Sequence, residues 1–284
     1  MKPAPFAYVR PATLEQALEA LAGDPGAKVL AGGQSLVPLL SMRLAAPTKL
    51  VDINALPDLD GVRADADGVR IGALARHADV LASAEVVDVQ PLVAMALGHV
   101  AHPTIRNRGT TVGSLVHADA AAEMPMVLTL LDGSVDVASV RGTRTIPAAE
   151  LYAGPLESTL AHDEIATGAL FPALQAGSGV AFQEIARRHG DYALVGVAAI
   201  VRIEADEVVG ARLGFVSVSD VPVVVDVSDH LDDPADAALD HLEPAEDIHA
   251  TADYRAHLVR VLVPKVLAAA TEHARDRARE RVDA

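Results

Sequence analysis

Apolar residues return at helical spacing at Leu14, Ala17, Leu18 and Leu21, directly behind Thr13 and Gln16 in capping-box order. The spacing predicts a helix over 13–22. Gly23, Asp24, Pro25 and Gly26 stop it, and the short apolar run 28–31 reads as a buried strand. Gly32 and Gly33 follow, and 36–44 has helical spacing, so the local order is strand, glycine turn, helix. Further strands are predicted at 50–53 and 69–73 and short helices at 77–83 and 92–99, which makes the first part an alternation of α and β.

A helix is expected again over 124–131, and strands over 134–140, 143–146, 164–171 and 180–186. From 193 to 227 the chain is rich in Val and Ile, with polar breaks at Arg202, Glu204, Arg212 and Ser217, the pattern of an antiparallel meander. Helices are predicted over 234–242 and 253–273. The second carries Leu258, Val261, Leu262, Val266 and Leu267 on one face, with a kink expected at Pro264. The uncharged, glycine-containing stretch 172–179 reads as a boundary between two domains, 1–175 and 176–284.

Composition narrows the function. With 284 residues, 51% hydrophobic and a mean hydropathy of +0.27, the chain has material for two cores. Its 39 acidic against 23 basic residues give a formal charge of −16, which excludes a general attraction to nucleic acid or anionic lipid. There is no Cys, so disulfides, thiolate-bound zinc and Cys-ligated iron–sulphur clusters are excluded within the chain. Aromatic content of 3%, with no Trp, argues against a base-stacking platform. Prolines at 3 and 5 do not fit a secretory signal, and no apolar run reaches the roughly 18 residues of a membrane span, so a cytoplasmic protein without membrane insertion is expected.

Three segments carry candidate chemistry. In Ala31-Gly32-Gly33-Gln34-Ser35, paired glycines after a strand allow positive φ and expose successive N–H groups to a phosphate, though the same run also suits a plain turn. In the run from Ile105 to Ser114, followed by His117, Asp119 and Glu123, a basic pair, hydroxyls, a glycine and carboxylates suit a diphosphate and its sugar hydroxyls. The same run also suits a solvated loop with Asp119 capping the next helix. The third, Phe182 to Val195, is strand, charged turn and strand.

Taken together, in this order, the runs Ala31–Leu36, Ile105–Gly113, His117–Pro125 and Ala186–Ala193 resemble the FAD-binding medium subunit of the molybdenum hydroxylases, of the aerobic carbon monoxide dehydrogenase and xanthine dehydrogenase type. The resemblance covers nearly the whole chain. It implies an α+β fold, with a two-lobed FAD-binding domain of the vanillyl-alcohol-oxidase/xanthine-dehydrogenase type and a smaller C-terminal domain of antiparallel sheet and helices. It implies that Val29, Leu30, Ala31, Gly32, Gly33, Gln34, Ser35 and Leu36, with Thr110, Thr111, Val112, Gly113 and Ser114, hold FAD. Asp119 and Glu123 are placed near the ribose or adenine side, Ile165 and Gln183 approach the cofactor, and Tyr192 takes the catalytic position beside the isoalloxazine. No metal is expected in this chain.

The implied role is electron transfer from a Cys-rich iron–sulphur small subunit to an external acceptor. The molybdenum cofactor resides in a large subunit, the 2Fe–2S clusters in the small one, and the assembly is a dimer of heterotrimers. Two departures stand out. Val112 occupies the position of a family glycine, where a β-branched residue resists positive φ and adds bulk beside the diphosphate, predicting a shifted loop or weaker flavin binding. Ala120 replaces a family proline. Gln34 stands where the carbon monoxide branch usually carries His, which points away from carbon monoxide as substrate. The alternatives are a stand-alone FAD oxidoreductase of the same fold, a nucleotide-sugar reductase with a related fold, and a flavin-free scaffold subunit.

Overall fold

The computed structural model describes residues 2–283. The chain opens with β1 (Ala7–Val9), α1 (Leu14–Ala22), β2 (Ala27–Leu30), α2 (Leu36–Met42) and β3 (Lys49–Asp52), whose strands form a parallel sheet in the order β1-β3-β2. The capping box is present: Thr13 Oγ1 accepts from the Gln16 N–H, and Gln16 Oε1 accepts from the Ala12 N–H. Ala17, Leu18 and Leu21 press α1 onto Ala27, Val51 and Ile53. This small core fixes the position of the turn that follows β2.

A five-stranded antiparallel sheet, ordered β4-β5-β10-β6-β7, is built from β4 (Val62–Asp65), β5 (Gly68–Gly72), β6 (Ser134–Ser139), β7 (Gly142–Pro147) and β10 (Ile165–Pro172). Between β5 and β6 run six helices: α3 (His77–Ala82), α4 (Ala84–Val89), α5 (Pro91–Leu97), α6 (Pro103–Arg106), α7 (Thr111–His117) and α8 (Glu123–Leu130). The helix α9 (Ala148–Leu151) and the short hairpin of β8 (Tyr152–Gly154) and β9 (Glu157–Ser158) precede β10.

The meander expected after 193 is present, joined by the strand before it: β11 (Ser178–Ala186), β12 (Ala193–Glu204), β13 (Glu207–Val216) and β14 (Val223–Asp226) pair antiparallel in sequence order. Both faces are covered, so β12 reads as a nearly continuous apolar run instead of an alternation. Val195, Val197, Ala199 and Val201 face Leu258, Val259, Leu262 and Val266 of α11 (Ala252–Asp283), while Ala198 and Val216 join the core that contains Met126, Val127 and Leu130 of α8. The helix α10 (Pro234–Leu239) packs beside α11.

Several expectations are corrected. The helix expected to end at 273 runs uninterrupted through Pro264 to Asp283. Its last turns are charged and lack the apolar stripe that marks the helix up to 273, although Arg275 pairs with Asp206 and Arg279 with Asp276. The run 105–114, for which a solvated loop was the alternative, instead enters α6 and α7, and α7 is anchored because Thr111, Val112 and Leu115 are buried. Asp119 does not cap α8. The residue at that cap is Ala122, and Asp119 Oδ1 instead accepts from the Ala121 N–H to close a tight turn.

Candidate functional site

The two glycine-bearing loops, far apart in sequence, touch. Gly33 has φ 72°, the left-handed conformation that favours glycine. Gly32 is packed so tightly that a Cβ on it would lie 2.4 Å from the Arg108 carbonyl oxygen and 3.0 Å from the Thr110 nitrogen. The loops open onto a cleft of about 390 Å³, lined by Gly32, Gly33, Gln34, Asn54 and Arg108 among others. Neither Ser35 nor Thr110 caps its helix with its side chain, so the first-turn N–H groups of α2 and α7 are left without that partner. A surface that no Cβ can fill, beside two helix starts without side-chain caps, suits a diphosphate, although the Thr111 N–H already donates to the Ala75 carbonyl and the Val37 N–H to the Gly33 carbonyl.

The Thr110–Ser114 segment is held from beneath. His77 is 4% exposed and its Nδ1 lies 3.1 Å from Thr111 Oγ1; burial, with Arg106 nearby, pushes the imidazole pKa down to about 4, so it is neutral. Val112 adopts no positive φ. It lies in the first turn of α7, 2% exposed, and belongs to the main core with Leu115 and Val127. The expected shift or crowding at Val112 is therefore corrected: the side chain points into the core, and Gly113 and Ser114, half-buried, follow it on the helix.

The helix α7 is about 10 Å long at 1.5 Å per residue. Its far end, at Ala118 with φ 55°, leads into a second, larger cleft of about 640 Å³. Asp119, Arg187, Tyr192, Ser217 and Arg255 line it. Tyr192 is 62% exposed, yet confinement of its hydroxyl, reinforced by the neighbouring Asp119 carboxylate, raises the phenol pKa to about 12. Burial lifts the Glu123 carboxyl to about 8, with Glu184 adding to the rise, so Glu123 carries its proton at neutral pH. Glu184 pairs with His99 Nδ1 at 3.3 Å and leaves its other oxygen, Oε2, buried without a partner. Arg255, 6% exposed, donates to the Leu194 and Ser217 carbonyls and to Asp247, and so holds the cleft wall.

The structure thus brings Gly32, Gly33, Gln34 and the Thr110 loop together at one end of α7, and Asp119, Glu123 and Tyr192 at the other. Val29, Leu30, Ala31, Ser35 and Leu36 are half-buried around the turn. Ile165 is a core residue, 1% exposed, and neither it nor Gln183 lines either cleft. Of the basic pair, Arg108 lines the smaller cleft, whereas Arg106 spends its guanidinium on the Val100 and Ala101 carbonyls. The residues missed from sequence are Asp52, Asn54, Arg76 and Arg255. An Asp-x-Asn run directly after a strand was the available signal for the first two.

Residues 4–174 match the model of the FAD binding domain in molybdopterin dehydrogenase. The chain belongs to this family. Family members of this kind bind FAD and are components of oxidoreductases. The chain is 41% identical to the 6-hydroxypseudooxynicotine dehydrogenase complex subunit alpha of Paenarthrobacter nicotinovorans, over 97% of each chain. Among solved structures it is similar to quinoline 2-oxidoreductase from Pseudomonas putida 86, with 35% identity, TM-score 0.89 and coverage of 96% of this chain and 99% of the other. It is also similar to carbon monoxide dehydrogenase from Hydrogenophaga pseudoflava, with 31% identity, TM-score 0.90 and coverage of 96% and 99%. Among the described residues, no helix of this FAD-family chain is long and apolar enough to cross a membrane.

Proposed function

We propose that this chain is the electron-transfer subunit of a molybdenum hydroxylase, taking electrons from an iron–sulphur subunit and handing them to an external acceptor. The observation that carries this reading is the contact of Gly32 with the Arg108–Thr110 backbone, joined by α7 to the cleft at Tyr192. Bound FAD supplies the capacity to accept electrons singly and release them in pairs. The loop N–H groups hold the diphosphate, Arg108 adds positive charge, and Tyr192 stands by the ring. Asp119 lines the cleft of Tyr192, and Glu123 is buried close enough to act on the Tyr192 phenol, so we assign both carboxylates to that end of the cofactor.

The chain has no Cys, so the clusters and the molybdenum site belong to partner subunits. The relatives are named as subunits of larger complexes, in keeping with a heterotrimeric assembly. We infer further that the complex hydroxylates a nitrogen heteroaromatic ring. The similarity to the 6-hydroxypseudooxynicotine and quinoline enzymes supports this, and Gln34 points away from carbon monoxide. The flavin-free scaffold reading loses its main support, since Val112 does not face the cleft.

Purification from the native host tests the reading. The expected result is co-purification with a Cys-rich small subunit and a large subunit, release of FAD and not FMN on denaturation, and bleaching of the flavin by a pyridine or quinoline substrate. A lone chain that turns over substrate unaided sinks the partner assignment.

A further inference from the structure

One cluster outside the expected site ties its two halves together. The Arg76 Nη1 donates to the Arg108 carbonyl at 2.7 Å, and Nη2 donates to Asn54 Oδ1 at 2.8 Å. Asn54 Nδ2 in turn donates to the Ala31 carbonyl at 2.8 Å and to Asp52 Oδ1 at 2.7 Å. Tyr8 Oη donates to the other Asp52 oxygen. A continuous chain of hydrogen bonds therefore runs from Arg108, in the second loop, through Arg76 and Asn54 to Ala31, in the first. Both endpoints are backbone carbonyls of the residues that shape the smaller cleft.

We propose that Arg76 is a positioning residue for FAD: its planar fork, acting through Asn54, fixes the two glycine-bearing loops at the separation a diphosphate needs. The proposal rests on reading those loops as the FAD cradle. The chemistry suits Arg and not Lys, because the two acceptors lie on different segments and only a rigid guanidinium presents two donors in fixed directions. Both acceptors of Arg76 are neutral carbonyl oxygens, and Asp79, Asp52 and Asp60 act on its guanidinium only through space, so its hydrogen bonds serve the two loops and are not taken by a carboxylate. The fold around it has independent support. The His77 N–H donates to the Gly109 carbonyl at 3.0 Å and the Thr111 N–H to the Ala75 carbonyl at 3.3 Å, so the backbone stays zipped when the side chain changes.

The test uses purified apo-protein titrated with FAD and with ADP, which carries the diphosphate without the flavin ring. Arg76→Met, Arg76→Lys and Asn54→Ala are each expected to weaken both ligands by about 10- to 100-fold, the range for hydrogen bonds to a charged group. The Arg76→Met/Asn54→Ala double variant should be no weaker than the poorer single one, since both break one chain of bonds. The absorption spectrum of FAD bound at saturation should stay as in the wild type, because the ring end at Tyr192 is untouched. Amide hydrogen exchange in the apo variants should quicken at 31–35 and at 108–110 and not elsewhere, which also decides the matter if a titration is limited by stability. The proposal is overturned if Arg76→Lys binds ADP like the wild type, if the two losses add, or if exchange at 31–35 is unchanged. Failure of the cradle reading itself looks different: the wild-type protein then binds neither FAD nor ADP.

Discussion

Gly32 and Arg108 meet backbone against backbone, with no room for a Cβ between them. Gly32→Ala must push the two loops apart, and relief of such overpacking costs about 1–3 kcal/mol. The expected outcome is FAD binding weakened by about 10- to 100-fold, read by flavin fluorescence. An alanine variant with wild-type affinity would falsify the cradle.

The position of Val112 predicts the reverse of what its replacement of a family glycine suggests. Val112→Gly removes three buried carbons from the main core and places glycine within a helix, a combined loss of about 3 kcal/mol. Thermal melting of the apo-protein should fall accordingly, while FAD affinity of the folded protein does not improve. A tighter complex would show that the side chain does reach the cofactor.

Glu123 gives the apo-protein a pH dependence of defined sign. The unfolded chain releases this proton near pH 4.5 and the folded chain near pH 8, so across that window the native state holds more protons and stability falls as pH rises. His77 acts oppositely: its unfolded pKa of 6.5 drops to about 4 in the fold, so its contribution is present above 6.5 and is lost as pH falls toward 4. Glu123→Gln removes the first effect alone. Relative to wild type it should gain stability progressively from pH 4.5 to 8, on the order of a few kcal/mol at the upper end. A difference between the two proteins that does not change with pH contradicts the assignment.

Tyr192 stands mostly in solvent, and its loss should barely touch folding. Tyr192→Ala is expected to shift apo-protein stability by no more than about 0.5 kcal/mol, as for other exposed sites. Its effect should appear in the holo-protein, as a changed flavin absorption envelope and altered fluorescence. Spectra identical to wild type would remove Tyr192 from the ring site.

Much of this is legible in the sequence. The capping box at Thr13, the strand–glycine–helix unit at Ala31–Leu36 and the meander after Ala193 all follow from local periodicity and turn chemistry, which need no knowledge of distant partners. What escaped is what depends on the third dimension. The burial direction of Val112 is set by a core assembled from α5, α7 and α8, and a family glycine at that place points toward backbone strain instead. Asn54 and Arg76 look like ordinary loop polars until the fold brings Ala31 and Arg108 to either side of them. Asp119 was legible as a functional carboxylate but not as a neighbour of Tyr192, 73 positions away in the chain.

The main core spans the uncharged stretch that reads as a boundary. Val180, Phe182, Ala193, Ala198 and Val216 lie in it with residues of α5 and α8, while the family match ends at 174. A recombinant fragment cut there would carry a raw apolar face formerly covered by the sheet of β11 to β14, and is expected to aggregate on expression. Intact protein nicked between 172 and 179 by a protease should instead stay together and melt in one transition, the two pieces serving as each other's chaperone.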